Sequence, residues 1–270
     1  MALRLRAVAA PRGLQWLREG WRVFARKPLA FTGLFAVFLF GAMVLMLVPW
    51  IGPLLLLASM PLLSLGFMLA TREAQQDRFP APGVFIVPLR SAGPRRRALL
   101  QLGAIYAGVT LLIMVLADWV DGGVFAELQE QMARREQDGA RVDALLDDPR
   151  LQTGLLMRFG LATLLSIPFW HAPALVYWGG QPAAQSLFSS TIAVWRCRGA
   201  FVAYALGWLG AALAFALVAG MLMGWLGLRQ AVMVLALPAG LTFSAAFYAS
   251  LWFTFEDSFS DDMAEQAPAG

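Results

Sequence analysis

The chain has a single histidine, His171, and it sits in the run Pro168-Phe169-Trp170-His171-Ala172-Pro173 inside an apolar segment. Imidazole titrates near neutral pH, and a histidine among aromatics in a membrane helix has two uses: relaying a proton or ligand, or hydrogen bonding to backbone. The two flanking prolines each remove a helical N–H, which frees carbonyls beside the ring. Pro168, His171 and Pro173 therefore form the candidate intramembrane polar site. No Asp or Glu lies well inside an apolar run, since Asp118 and Glu256 stand at run ends. Ion-coupled transport thus has no obvious carboxylate. One cysteine, Cys197, precludes an intrachain disulfide, and one histidine precludes a histidine-rich metal site. No paired carboxylate is read near a span, no glycine-rich phosphate loop has a recognised spacing and no nucleophile stands beside a base, so neither enzymatic chemistry nor a cofactor is expected.

The second set of reactive groups is cationic. Arg18, Arg22, Arg26 and Lys27 precede the first apolar run, Arg95, Arg96 and Arg97 precede another, and Arg196 and Arg198 a third. Guanidinium groups placed against apolar spans meet the phosphates of anionic lipids, each contributing about 1 kcal/mol near the surface. This placement fits lipid headgroups as partners and does not fit nucleic acid.

The elements carrying these groups are membrane spans. With 59% hydrophobic and 14% charged residues and a mean hydropathy of +0.64, a soluble fold would lack polar surface to cover itself. From Pro28 to Thr71 there is no charge, and Pro49-Trp50-Ile51-Gly52-Pro53 divides the run into two spans. Six spans are expected in all: Leu29 to Val48, Leu54 to Ala70, Ala98 to Ala117, Phe159 to Trp178, Gly199 to Leu226 and Gln230 to Phe255. No cleaved signal is expected ahead of the first. The fold class is all-α, a polytopic membrane protein forming one integral domain over residues 1–270. Lys and Arg concentrate in the N-terminal segment, in the loop after span two and before span five, which predicts both termini in the cytoplasm.

Three stretches on that basic side are amphipathic. Residues 1–27 place Leu14, Leu17, Trp21 and Phe24 opposite Gln15, Arg18, Arg22 and Arg26. Before span five, Ala184, Leu187, Phe188, Thr191, Ile192 and Trp195 oppose Gln185, Ser186, Ser189 and Arg196. A more broken version runs through Pro80 to Leu89. Such stripes predict helices lying in the interface. The tract from Pro61 through span three resembles the tract from Pro168 through span five, a loose parallel repeat.

On the opposite side, residues 118–158 form an acidic segment whose apolar residues recur at helical spacing on either side of Gly139. Two short amphipathic helices are predicted, serving as a partner-docking lobe or as a solvated connector. Asp148-Pro149 has the form of an N-cap with proline at the first helical position. Residues 256–270 form an acidic C-terminal tail. Within span five, Gly199, Ala203, Gly207 and Ala211 recur every four residues, followed by Gly220 and Gly224. Such a stripe lets helices approach closely, within the chain or across a homodimer or another membrane-protein contact.

The Gly13 to Phe24 segment ahead of an apolar hairpin, the Pro61-Leu62-Leu63-Ser64-Leu65-Gly66 run and the stretch from Ser186 to Arg198 resemble an uncharacterised family of bacterial multi-pass inner-membrane proteins. More distantly, the layout is similar to the membrane module attached to some glycerophosphodiester phosphodiesterases, without their catalytic domain. The resemblance implies an inner-membrane location and supplies no functional residues. These features together predict a non-enzymatic module that engages lipid or a membrane partner; the alternative is a small-solute or lipid-like transporter using the broken fourth span.

Overall fold

A computed structural model of the protein describes residues 3–91, 93–134, 139–225 and 231–261. Among the described residues, six helices or helix pairs are long and apolar enough to cross a membrane. In chain order the described elements are β1 (Leu3–Leu5), α1 (Arg12–Arg26), α2 (Pro28–Met46), α3 (Ile51–Gln75), α4 (Gly93–Asp121), α5 (Val124–Ala133), α6 (Gly139–Leu146), α7 (Pro149–Phe169), α8 (Ala172–Tyr177), α9 (Ala183–Arg196), α10 (Arg198–Trp225), α11 (Ala231–Ser258) and β2 (Phe259–Asp261). Leu226 and Gln230, which bound two of the expected spans, and Arg229 lie outside the described residues. The all-α expectation holds, with one small addition: β1 and β2 pair antiparallel, which brings both ends of the described chain to one face.

Local chemistry explains the turns. Between α2 and α3 the chain reverses so tightly that a Cβ on Gly52 would stand 1.8 Å from the Leu45 carbonyl oxygen, so no side chain fits there. At the start of α7, Asp148 caps the helix by accepting the Arg150 N–H at 2.8 Å, with Pro149 at the first position. The Arg150 hydrogen bonds hold the Asp148 carboxyl below its ordinary value. Fourth-span helicity begins there, ten residues before the apolar run. The Pro80 to Leu89 stretch forms two short 3-10 helices, Pro82–Phe85 and Val87–Arg90.

Helix α1 is packed into the bundle more deeply than its amphipathic stripe implies. Its inward seam is Gly13, Trp16, Gly20, Val23 and Phe24, whereas Leu14 is exposed. A Cβ on Gly13 would lie 2.0 Å from the Ala200 carbonyl oxygen, and one on Gly20 would lie 2.4 Å from Ser250 Cβ. The two glycines let α1 touch α10 and α11 backbone to backbone, and Trp16 fills the space between. Hydrophobicity counts overlook this face because glycine registers as neutral.

Trp16 Nε1 donates to Asp257 at the end of α11, and Arg12 donates to both oxygens of the same carboxylate. Residues 256–258 therefore belong to α11 and 259–261 to β2, so the acidic tail does not begin at residue 256. The physical reason is the charge of Arg12, which fixes the Asp257 carboxylate against α1. Residues 262–270 lie outside the described residues.

Candidate functional site

The break in the fourth span is built by three groups. Pro168 and Pro173 remove two N–H donors, and the chain turns at Trp170 and His171 between α7 and α8. In an uninterrupted helix the His171 N–H would donate to the Ile167 carbonyl. Here it donates instead to Ser190 Oγ at 3.0 Å, while that hydroxyl donates to Ile167 O at 3.1 Å. A side chain from α9 is thus inserted into the helical ladder, a recognised cause of kinking. The helix resumes when Leu175 N donates to His171 O at 2.9 Å.

The His171 ring is fully buried. Its Nε2 lies 3.2 Å from Thr254 Oγ1 on α11, which also receives the Trp170 Nε1 proton at 3.1 Å. The Thr254 hydroxyl donates its own proton to Leu251 O at 2.8 Å. That proton assignment leaves the hydroxyl oxygen as acceptor, so His171 carries its proton on Nε2. Nδ1 is then a bare lone pair with no hydrogen-bond partner among the described residues, and Phe201, Phe255 and Phe259 ring the imidazole at 5.4–5.9 Å between centroids. Two small cavities of about 160 and 200 Å³ flank Trp170, and neither is lined by His171. The arrangement ties α7, α9 and α11 together at the break.

The second candidate lies at the basic end. Arg95, Arg96 and Arg97 occupy the first turn of α4 and line a crevice of about 830 Å³ shared with Gly180, Gln181 and Pro182 after α8. A Cβ on Gly180 would sit 3.8 Å from Arg95 Nη2, so this left-handed glycine brings the loop against the guanidinium. No acidic residue lines the crevice, and the three arginines make no ion pair among the described residues. The unpaired N–H groups of the first helical turn add partial positive charge. Arg18, Arg22, Arg26 and Arg196 are also exposed. Arg198 lies over the Trp195 ring at 5.5 Å, and Lys27 Nζ donates to Arg78 O at 2.7 Å.

The amphipathic stripe of α9 faces outward, with Phe188 and Trp195 each 67% exposed, while Ala183, Ser186, Ser190 and Ala193 face the bundle. Its inner face was hidden in the sequence, though small residues at three- and four-residue spacing were a signal. Along α10, Gly199 meets the segment just ahead of α1 and Gly207 meets α1 itself: added Cβ atoms would lie 3.2 Å from Ala10 and 2.9 Å from Leu14. Ala203 and Ala211 are half-buried, whereas Cβ atoms on Gly220 and Gly224 would meet nothing within 4 Å. Sequence reasoning also missed Thr254, Trp16 and Asp257 as organising groups.

Six apolar spans around a buried, hydrogen-bonded core, with amphipathic and basic elements gathered at one end, define an α-helical polytopic membrane protein. The chain is 31% identical over 258 residues to a probable inner membrane protein of Burkholderia thailandensis, an alignment covering 95% of this chain and 94% of the relative. It belongs to that protein's family of bacterial multi-pass inner-membrane proteins. No protein-family model matches the chain. No solved structure matches it either.

Proposed function

We propose that the protein is a non-enzymatic inner-membrane module that engages anionic lipid through its arginine-rich face, with both termini in the cytoplasm. The observation that carries this reading is the crevice at the start of α4, where Arg95, Arg96 and Arg97 meet no acid. At about 1 kcal/mol per basic residue, three arginines supply about 3 kcal/mol, or roughly a hundredfold in affinity. The excess of Lys and Arg at this end favours a cytoplasmic orientation, and the outward apolar face of α9 supports contact with acyl chains beside those headgroups. The layout likeness to membrane modules of glycerophosphodiester phosphodiesterases is in keeping with a lipid-facing role.

The transporter alternative works through His171. It has less support, because neither cavity flanking Trp170 is lined by that ring, and Ser190 and Thr254 already take the His171 backbone N–H and Nε2, leaving only Nδ1 without a partner among the described residues. The test is titration of the purified full chain with phosphatidylglycerol, read by native mass spectrometry. The combined variant Arg95→Gln, Arg96→Gln, Arg97→Gln should weaken retention about a hundredfold at low salt, and His171→Ala should leave it unchanged. Wild-type retention by the triple variant would overturn the proposal.

A further inference from the structure

On the membrane face opposite the arginine crevice, α4, α5 and α7 enclose a cavity of about 470 Å³. Its residues on α4 run from Tyr106 to Asp118, a rise of about 18 Å along the span. The walls are apolar, with Ile113, Phe125, Phe159 and Leu165 among them. The volume falls within the range of about 300–1,000 Å³ typical of small-molecule sites. An occupant must therefore present a long apolar body to these walls.

The end at the span terminus is polar and built. Arg158 is locked in place by three contacts: Nη1 on Asp121 at 2.6 Å, Nη2 on Asp118, and its guanidinium over the Phe125 ring at 4.4 Å. Asp121 is completely buried and also accepts the Gly123 N–H at 2.8 Å. Gly154 leaves room for the pair, since a Cβ there would lie 2.6 Å from Asp121 Oδ2. Arg150, paired with Asp148, also acts on Asp121, so three carboxylates face two guanidiniums and a net negative charge remains. The Asp118 side chain remains 52% exposed, at the lining of the cavity. Partway down the wall, Thr110 Oγ1 is buried without a hydrogen-bond partner among the described residues.

The geometry points to a binding site for an aminolipid, an acyl-chain amphiphile whose ammonium head meets Asp118 while a chain lies along α4 and α7. An ammonium satisfies the surplus negative charge, and the chain replaces open space with apolar contact. Anionic headgroups are disfavoured here, because Arg158 is already consumed by two carboxylates. The site is independent of the arginine crevice and lies in the other leaflet.

The test uses the delipidated full chain, with dipalmitoyl phosphatidylethanolamine and dipalmitoyl phosphatidylglycerol as probes, read by native mass spectrometry. Ala162→Trp on α7 and Ala126→Phe on α5 each place bulk in the cavity from a different helix, and unfolding temperature reports their folding. With the crevice emptied by Arg95→Gln, Arg96→Gln and Arg97→Gln, the chain should bind one phosphatidylethanolamine at least about tenfold more tightly than phosphatidylglycerol. Asp118→Asn should abolish that preference, while either cavity-filling variant that folds should lose the bound aminolipid and keep phosphatidylglycerol at the arginine crevice. Equal retention of the two lipids once Arg95, Arg96 and Arg97 are glutamine, or undiminished phosphatidylethanolamine in both filled variants, would overturn the site without touching the arginine reading.

Discussion

Replacing Thr254 by valine is the sharpest test of how the fourth-span break is held. The substitution preserves shape and removes one hydroxyl, the acceptor for the His171 Nε2 and Trp170 Nε1 protons. The hydroxyl's own bond to Leu251 O is dispensable, because that carbonyl sits within helix α11. An unsatisfied buried donor costs about 1–3 kcal/mol in soluble proteins. Between membrane helices the mean is about 0.6 kcal/mol per bond, and the largest values reach about 1.7. Two bonds, one fully buried and one partly buried, therefore predict a loss of about 1–3 kcal/mol. At about 3 °C per kcal/mol for a chain of this size, the unfolding temperature falls by about 3–9 °C. Thermal unfolding in mild detergent, followed by tryptophan fluorescence, measures this directly. Thr254→Ser keeps the hydroxyl and should retain most of the stability. An unchanged unfolding temperature for Thr254→Val, or equal damage from both variants, would refute the hydrogen-bonded account of His171.

Three further outcomes follow from the packing. Gly20→Val should displace α1, because its Cβ must clear Ser250, and the overpacking costs about 1–3 kcal/mol in thermal unfolding. Asp257→Ala strands the Trp16 indole and leaves Arg12 only Gln15 and Glu19, and protease sensitivity near residue 12 should rise while the core spans stay protected. The folded-state Asp148 carboxyl titrates below its unfolded value because Arg150 holds the charged form. That contribution is complete above about pH 4, the unfolded value, and disappears as the pH falls through the lower folded one. Protection of the residue 150–152 amides against hydrogen exchange, relative to their intrinsic rates, should fall only below that point, and Asp148→Ala should remove the pH dependence.

The spans were legible because lipid demands uninterrupted apolar helices, and charge-free runs of the right length have few alternative folds. The hairpin at Gly52 and the cap at Asp148 were legible for a local reason: proline and glycine constrain the backbone within a few residues. The Ser190 insertion was not legible, because nothing near residue 190 announces that its hydroxyl will complete a helix broken 19 residues earlier. Asp257 was hidden similarly, since a carboxylate beyond an apolar run reads as tail until Arg12, 245 residues away, is seen beside it. The seam of α1 was misplaced by one side chain's width. Hydrophobic stripes identify Leu14, while close approach selects Gly13 and Gly20. At the basic end the arginines were visible as a cluster, but their crevice depends on Gly180 folding the loop after α8 against Arg95. On the opposite face, Asp118 and Arg158 lie forty residues apart in sequence and meet only because α5 and α6 return the chain to the end of α4.

Lipid binding by the arginine face is read from the lipid that the protein carries when it is extracted from bacterial membrane in native discs and analysed by mass spectrometry. Phosphatidylglycerol or cardiolipin should be enriched over the surrounding membrane, with that enrichment lost when Arg95, Arg96 and Arg97 become glutamine. A lipid composition matching the bulk membrane for the wild-type protein would contradict it.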